Sequence, residues 1–236
     1  SRRDFLHRAV AVGAAASTGL GFSAPPRIPN YERHEPAEEA GQDRGHALVT
    51  WGGWEGHEPE AFKNLIVPWL KEDGFDVTVA NSLDPYADAS LMETVDVVIQ
   101  QWTMGEIEDE QLDGLLAAVR NGTGVAGWHG GTVDSFRARP RYLYMTGAQW
   151  AAHPGGQEVT YTVHVTDEDD EIVEGIDDFE VTTEQYYMLV DPANKVLATT
   201  TFSGAHDAWL DGAVMPVIWK KRFGQGRVFV NALGHS

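Results

Sequence analysis

Four histidines in loop-like sequence, each beside a glycine or a proline, are the residues of this chain best suited to chemistry. They are His57, His129, His153 and His235. Neutral imidazole is a common ligand of zinc-like ions and also a natural base near neutral pH. Glu58 and Glu184 could add a carboxylate, either as a further ligand or as an acid/base partner. We expect His129 and His57 at the centre of the site, with Glu184 as acid, base or ligand.

The histidines allow three interpretations. Together with a carboxylate, His57, His129, His153 and His235 are candidate ligands of a divalent metal such as Zn²⁺, in an open site that activates water or polarises a carbonyl group. Without a metal, the same side chains would form an acid/base pocket, and a purely structural role is the third alternative. Their spacing matches no local metal motif, so only the fold can bring them together.

The turn Trp128-His129-Gly130-Gly131 follows a predicted strand and resembles a nucleophile elbow, a tight strand-to-helix turn. Its glycines allow a strained backbone and the close approach of a ligand, so we predict that Gly130 contacts substrate. The residue at the tip is His129, where such turns carry serine or cysteine. The chain has no cysteine, which excludes a thiolate nucleophile, a thiolate metal site and a disulfide framework.

Aromatic residues near the predicted strand ends could bind carbohydrate, because the apolar faces of sugars stack on indole and phenol rings. The candidates for substrate contact are Trp54, Trp102, Trp128 and Tyr186, together with Glu58 and Gly130. Packing in the core explains each aromatic residue at least as well.

Short β-branched runs alternate with amphipathic segments from His46 onward, which predicts an α/β fold with a parallel sheet and helices on both faces. Predicted strands cover 47–51, 75–80, 95–101 and 124–128, and predicted helices cover 60–71 and 109–120. After Gln157, strand-like runs at 158–165, 179–183, 195–200, 214–220 and 227–232 predict additional strands in the C-terminal half. Loops at the carboxyl ends of parallel strands form the ligand crevice, so loops 52–58, 102–106 and 128–131 should meet there.

The charge of the chain is strongly negative. Its 36 acidic residues against 17 basic ones give a formal net charge of −19. Phosphate binding needs clustered lysine and arginine, so this balance argues against a nucleic-acid partner. An acidic surface repels itself in dilute buffer and is screened in concentrated salt, which indicates either a salt-rich habitat or simply an acidic mesophilic protein.

The first 24 residues resemble an export signal. Arg2 and Arg3 begin a twin-arginine pattern, and the weakly apolar stretch from Ala9 to Phe22 is too short and mild for a stable membrane span. We therefore predict a signal peptide at 1–24, export by the twin-arginine machinery to the periplasm or the medium, and a linker at 25–45. One domain then covers 46–236. It stops directly after a predicted strand, so we expect that helices which normally follow are missing.

From His46 to Ser236 the chain resembles the ThuA (trehalose-utilisation) family, a relative of the class I glutamine amidotransferases. The order of several segments carries the resemblance: Gly52-Gly53, His57-Glu58, Trp128 to Gly131, Gly147 to Pro154, Glu184 to Tyr186, Pro216 to Trp219, Gly226 to Phe229 and Leu233 to His235. It implies a flavodoxin-like, class I glutamine amidotransferase-like fold and a role with trehalose, related glycosides or keto-sugars. Amidotransferase activity is not implied, because the thiol it needs at the elbow is absent.

The sequence therefore predicts an exported protein of carbohydrate metabolism with a small-molecule sugar as its ligand. The leading hypothesis is a sugar-processing hydrolase, lyase or isomerase that acts through a pocket lined by histidine and glutamate. The alternatives are a non-catalytic carbohydrate-binding or accessory module on the same fold, and a structural or partner-binding domain.

Overall fold

A computed structural model describes residues 44–235 of the chain. The predicted signal at 1–24 lies outside the described residues, as does nearly all of the predicted linker. In chain order the strands and helices are β1 (His46–Gly53), α1 (Pro59–Glu72), β2 (Asp76–Ala80), α2 (Ala89–Met92), β3 (Val97–Thr103), α3 (Asp109–Asn121), β4 (Gly124–Trp128), α4 (Gly130–Val133), α5 (Pro140–Thr146), β5 (Ala148–Ala152), β6 (Val159–Val165), β7 (Phe179–Thr183), β8 (Tyr187–Val190), β9 (Lys195–Thr201), β10 (Val214–Phe223) and β11 (Gly226–Asn231).

Nine of these strands form one sheet, in the order β2-β1-β3-β4-β11-β10-β9-β6-β7. The first five in that order run parallel to one another. The other four continue the sheet through antiparallel pairs. β5 and β8 form a separate two-stranded antiparallel sheet. The predicted α/β fold, with a parallel sheet and additional strands in the C-terminal half, is confirmed.

Apolar side chains cover both faces of the sheet, because successive residues of a strand point to opposite sides. On one face, Leu48 and Val98 pack in a cluster that includes Leu115 and Leu116 of α3. On the other face, Val49 and Ile99 share a cluster with buried residues of α1, namely Phe62, Ile66 and Leu70. Burying such a side chain contributes about 1.5–3 kcal/mol. Helices therefore lie on both faces, as predicted.

Helix α3 illustrates how local sequence sets the element boundaries. Its buried leucines recur at helical spacing, at Leu112, Leu115 and Leu116. At its start, the backbone N–H of Glu108 donates to Oε1 of Gln111 at 3.1 Å. It ends at Gly122, whose φ of 132° is a conformation that glycine adopts readily.

Two strands, β5 and β8, and three short helices, α2, α4 and α5, were not predicted from the sequence. The helices and β8 have between four and seven residues, too few to establish a hydrophobic period. Strand β5 is as long as the predicted β2, but its sequence, Ala-Gln-Trp-Ala-Ala, contains no β-branched residue. Within residues 44–235, no helix is long and apolar enough to cross a membrane.

Candidate functional site

Four side chains from four separate strand ends meet at one edge of the sheet. His57 follows β1, His129 follows β4, Glu184 follows β7 and His235 follows β11. Four antiparallel pairs separate β11 from β7, so β7 runs in the same direction as the parallel strands. One nitrogen or oxygen atom from each of the four lies within 4.8 Å of the others, and all four residues are buried.

Three of these donors have the spacing of a metal ligand set. Nε2 of His129 lies 3.3 Å from Nδ1 of His235 and 3.3 Å from Oε2 of Glu184. Nδ1 of His235 lies 3.3 Å from Oε1 of Glu184. Ligands held about 2.0–2.1 Å from a tetrahedral zinc ion are themselves about 3.3–3.4 Å apart. The observed separations therefore fit such a centre.

Hydrogen bonds on the outer side of two imidazoles fix how the rings point. Nδ1 of His129 lies 3.0 Å from the carbonyl oxygen of Ala232. A carbonyl only accepts, so Nδ1 carries the proton and Nε2 presents a lone pair to the other donors. Nδ1 of His57 is engaged by the Thr103 hydroxyl at 2.8 Å. Histidines that bind metals are oriented in this way by a partner on their second nitrogen.

Burial favours neutral histidines in this group. It lowers the pKa of His129, and it lowers the pKa of His57 to about 3. Burial alone would raise the pKa of Glu184, but its hydrogen-bonding contacts with His129 and His235 outweigh burial and hold that pKa below its usual value. At neutral pH the site therefore combines the uncharged imidazoles of His57 and His129 with an ionised Glu184 carboxylate.

This protonation state leaves two acceptors facing each other. The lone pair of His129 Nε2 and the carboxylate of Glu184 are 3.3 Å apart. Two acceptors at that distance repel unless a proton or a cation lies between them. Burial opposes protonation of His129.

The Tyr186 hydroxyl also reaches the centre of the site. It lies 2.8 Å from Nε2 of His129, and the two rings stack at a centroid distance of 4.4 Å. Burial raises the pKa of Tyr186 well above its usual value. The hydroxyl therefore stays protonated and donates a hydrogen bond to Nε2 of His129. Nearby, the Tyr161 hydroxyl donates to the backbone carbonyl of Glu184 at 2.9 Å, which fixes the position of that residue.

The turn that carries His129 is strained. His129 adopts φ 49° and ψ −150°, a conformation that non-glycine residues rarely occupy and that costs about 1–3 kcal/mol. Its backbone N–H donates to the carbonyl of Asn231 at 2.7 Å. A Cβ atom on the next residue, Gly130, would lie 2.4 Å from Cε1 of His57, so only glycine lets the two loops come this close.

A cavity of about 280 Å³ opens onto two of these four residues, His57 and Glu184. Its walls are formed by Trp54, His57, Met104, Asp134, Arg137, Trp150, His153, Gln157, Glu184 and Tyr186. A larger cavity of about 740 Å³ lies at the opposite ends of the strands, beside residues such as Arg44, Gly124 and Arg227. It contains none of the four donors, so we assign the candidate site to the smaller cavity.

Some of the residues expected at the site lie elsewhere. Trp54 and Tyr186 line the cavity, and Gly130 touches His57. Trp128 is buried against Phe62 in the core, with ring centroids 4.5 Å apart. Trp102 is half-buried against the opposite core cluster, and Glu58 is exposed just before α1. The structure does not bring these last three to the cavity wall.

His153 lies in the cavity but outside the group of four. Its Nε2 is 3.7 Å from Oε1 of Glu184, and its buried Nδ1 has no hydrogen-bond partner among the described residues. The structure thus groups His57, His129 and His235 with Glu184, and leaves His153 on the wall beside them.

Five cavity residues were not singled out in the sequence: Met104, Asp134, Arg137, Trp150 and Gln157. Asp134 and Arg137 follow the His129 turn closely in the chain, and Trp150 lies in the segment from Gly147 to Pro154. Proximity to these motifs is the only sequence signal that these residues lie near the site. It does not show whether their side chains point into the cavity.

Residues 46–236 match the model of the ThuA family, which is described as trehalose utilisation. The chain belongs to the ThuA family. Membership supports a role related to the use of trehalose. Among proteins of curated function, none matches this chain in sequence.

Solved structures agree with the ThuA fold. A ThuA-like protein from Bacteroides uniformis ATCC 8492 is 16% identical, with a TM-score of 0.69 over 85% of this chain and 86% of its own. One from Parabacteroides merdae ATCC 43184 is 17% identical, with a TM-score of 0.65 over 81% and 80%. A cytoplasmic protein from Salmonella typhimurium LT2 is 12% identical, with a TM-score of 0.58 over 81% and 89%. At these identities the likeness concerns the ThuA fold alone.

Proposed function

We propose that this ThuA protein is a metal-dependent enzyme of carbohydrate metabolism that acts on trehalose, a related glycoside or a keto-sugar. His57, His129, Glu184 and His235 would hold a divalent ion such as Zn²⁺. The observation that carries the proposal is the convergence of their donor atoms within 4.8 Å, with all four residues buried. The ligands expected of zinc are imidazole nitrogens and carboxylate oxygens.

The residues around the proposed metal site each have a role in this proposal. A bound divalent cation would supply Lewis acidity toward a sugar oxygen. Ala232 and Thr103 orient the imidazoles of His129 and His57. Trp54 and Tyr186 offer aromatic surface beside the donors, and the half-buried His153 lies where it can exchange a proton with a bound sugar.

Metal binding is the first test. Protein stripped with a chelator should bind about one Zn²⁺ per chain in competition with a chromophoric chelator. Losing a partner of a ligand typically weakens metal affinity about 10–100-fold, so removing a ligand through Glu184→Gln or His235→Gln should weaken it at least as much. His164→Gln is the matched control, because His164 is exposed and pairs with Asp178. Wild-type protein that binds no zinc would overturn the metal site.

A metal-free acid/base enzyme is the second candidate, and the contact between Tyr186 and His129 favours it. In that case Tyr186 donates a proton and His129 accepts one, with Glu184 stabilising the charge that develops. Turnover of a trehalose-derived substrate that persists after chelation would support this candidate. Sugar binding without any product, unaffected by chelation or by His129→Gln, would instead indicate a carbohydrate-binding module.

We also propose that the twin-arginine machinery exports the protein. The support is the sequence pattern at Arg2 and Arg3, which lies outside the described residues. In a cell with that machinery, the full chain should accumulate outside the cytoplasm, and replacing both arginines by lysine should retain it inside. Equal distribution of the two forms on cell fractionation would contradict export by this route.

A further inference from the structure

Three residues of the cavity wall have no part in the proposed metal site: Asp134, Arg137 and Trp150. Arg137 forms a two-point ion pair with Asp134, with Nε 2.5 Å from Oδ1 and Nη2 2.8 Å from Oδ2. The Asp134 side chain is only 6% exposed, whereas that of Arg137 is 43% exposed. A buried carboxylate therefore anchors a guanidinium that remains open to solvent.

Stacking holds the same guanidinium from a second direction. Its Cζ lies 4.5 Å from the centre of the Trp150 ring. Trp150 in turn contacts the rings of His153 and Tyr186, at centroid distances of 5.7 and 6.4 Å. An arginine fixed by both a planar carboxylate and an aromatic face has lost most of its rotational freedom before any ligand arrives.

The ion pair leaves donors of Arg137 available to a ligand. A guanidinium has five N–H groups, and Asp134 accepts from Nε and Nη2. Nη1 makes no hydrogen bond to the described part of the chain. Because Asp134 already balances the positive charge, an oxygen that accepts from Nη1 does not have to be charged.

The size of the cavity restricts what can enter. At about 280 Å³ it lies near the lower limit of small-molecule pockets, which typically measure about 300–1,000 Å³. That volume suits one monosaccharide unit. Trp54, which is 45% exposed on the same wall, could contact the part of a larger glycoside that remains outside.

We infer that Asp134, Arg137 and Trp150 form a subsite for one uncharged sugar ring, with Arg137 donating hydrogen bonds to its hydroxyl or carbonyl oxygens. This inference rests on the proposed function in assuming a sugar ligand, but it does not need the metal. In the metal-free protein, the carboxylates of Asp134 and Glu184 leave no unbalanced positive charge from Arg137 in the wall, so a phosphorylated sugar should bind less well than its neutral counterpart.

Calorimetry on the full chain with trehalose and trehalose 6-phosphate tests the subsite. Wild-type protein stripped of metal with a chelator should bind trehalose about 10-fold or more tightly than the phosphate, and D-glucose should compete with trehalose. Arg137→Met should weaken trehalose binding by about 10-fold or more, which is the effect expected for a hydrogen bond from a charged group. Arg141→Met is the matched control, because Arg141 is an exposed arginine that pairs with Asp113.

A second variant keeps the test valid if the single substitution unfolds the protein. Arg137→Met leaves the buried Asp134 carboxylate without its partner, whereas Asp134→Asn combined with Arg137→Met removes both charges together. The double variant should fold and show the same loss of trehalose binding. Trehalose binding unchanged in this variant, or tighter binding of the phosphate by metal-free wild type, would overturn the inference.

Zinc affinity separates this inference from the proposed function. If zinc binds normally and neither sugar binds, the subsite is wrong and the metal site is unaffected. If trehalose binding depends on Arg137 but no zinc binds, the subsite is correct and the metal-dependent function fails.

Discussion

The Tyr186 hydroxyl lies 2.8 Å from Nε2 of His129, the same nitrogen that faces the Glu184 carboxylate at 3.3 Å. An imidazole nitrogen has one lone pair, so the hydroxyl and a metal ion compete for it. Tyr186 therefore occupies a position that a bound ion would have to take over. It is the residue that distinguishes the two candidate functions.

Tyr186→Phe should raise zinc affinity by about 2–10-fold, because the variant removes a hydrogen bond worth about 0.5–1.5 kcal/mol that metal binding must break. The measurement is competition with a chromophoric chelator. Tyr187→Phe is the matched control, since the Tyr187 ring packs near Phe202 and not in the cavity. A loss of affinity on Tyr186→Phe would mean that the phenol is itself a ligand.

The strained backbone at His129 predicts an unusual order of stability. His129→Gly should be more stable than His129→Ala by about 1–2 kcal/mol, because glycine adopts φ 49° and ψ −150° without the strain that a Cβ atom brings. Both variants should lose zinc binding. Denaturant unfolding measures the difference, and an alanine variant as stable as the glycine variant would show that the turn is relaxed.

Gly130→Ala should disable the site without removing any of its functional groups. The new Cβ would lie 2.4 Å from Cε1 and 2.8 Å from Nδ1 of His57, so the imidazole has to move away from the other donors. Zinc affinity should fall by at least about 10-fold. Gly124→Ala in the preceding strand is the control, because its nearest neighbour would be 3.5 Å away. Similar zinc binding by both variants would contradict the crowded contact.

The metal-free protein should lose stability as the pH falls from about 6.5 toward 3. Burial holds the pKa of folded His57 at about 3, whereas an unfolded histidine titrates near 6.5. Between these two pH values His57 is protonated in the unfolded chain but not in the folded chain, so a lower pH favours unfolding. Denaturant midpoints at pH 7 and pH 4.5 measure the slope.

His57→Gln should show a weaker pH dependence than wild type, because the titrating group is gone. His164→Gln, on the exposed surface, is the comparison. Equal slopes for wild type and His57→Gln would show that His57 titrates normally in the folded protein.

The net charge of −19 predicts a response to salt. Screening of self-repulsion should raise the thermal midpoint as potassium chloride increases from millimolar to molar concentration. Sucrose at matched osmolality controls for effects unrelated to charge. A midpoint independent of salt would argue for an ordinary acidic mesophilic protein.

The fold was accessible from sequence because its strands and longer helices carry clear periods, as α3 does through its leucines. The histidine group was partly accessible, since the rule on carboxyl ends of parallel strands indicates His57 and His129 directly. The rule does not say which neighbouring side chain turns inward. Trp128 directly precedes His129, yet it points into the core, whereas Trp150 reaches the cavity from β5, a strand without β-branched residues.

Residue type and motif resemblance make Glu184 and His235 candidates, and only the register of the extended sheet explains why they meet. Four antiparallel pairs bring β7 back to the direction of β1, β4 and β11. No local pattern in the sequence encodes the direction of β7 relative to β1, β4 and β11. That direction depends on how all the strands of the sheet are connected and paired.

The four donor residues lie in loops that are far apart in the chain, so their donor atoms come together only in the folded protein. An ion bound by all four would act as a cross-link between segments that meet only when β1, β4, β7 and β11 have joined one sheet. The unfolded chain has no such arrangement, so the binding energy would be available only after assembly is complete. Metal supply would then influence how long the folded protein survives, as well as how fast it works.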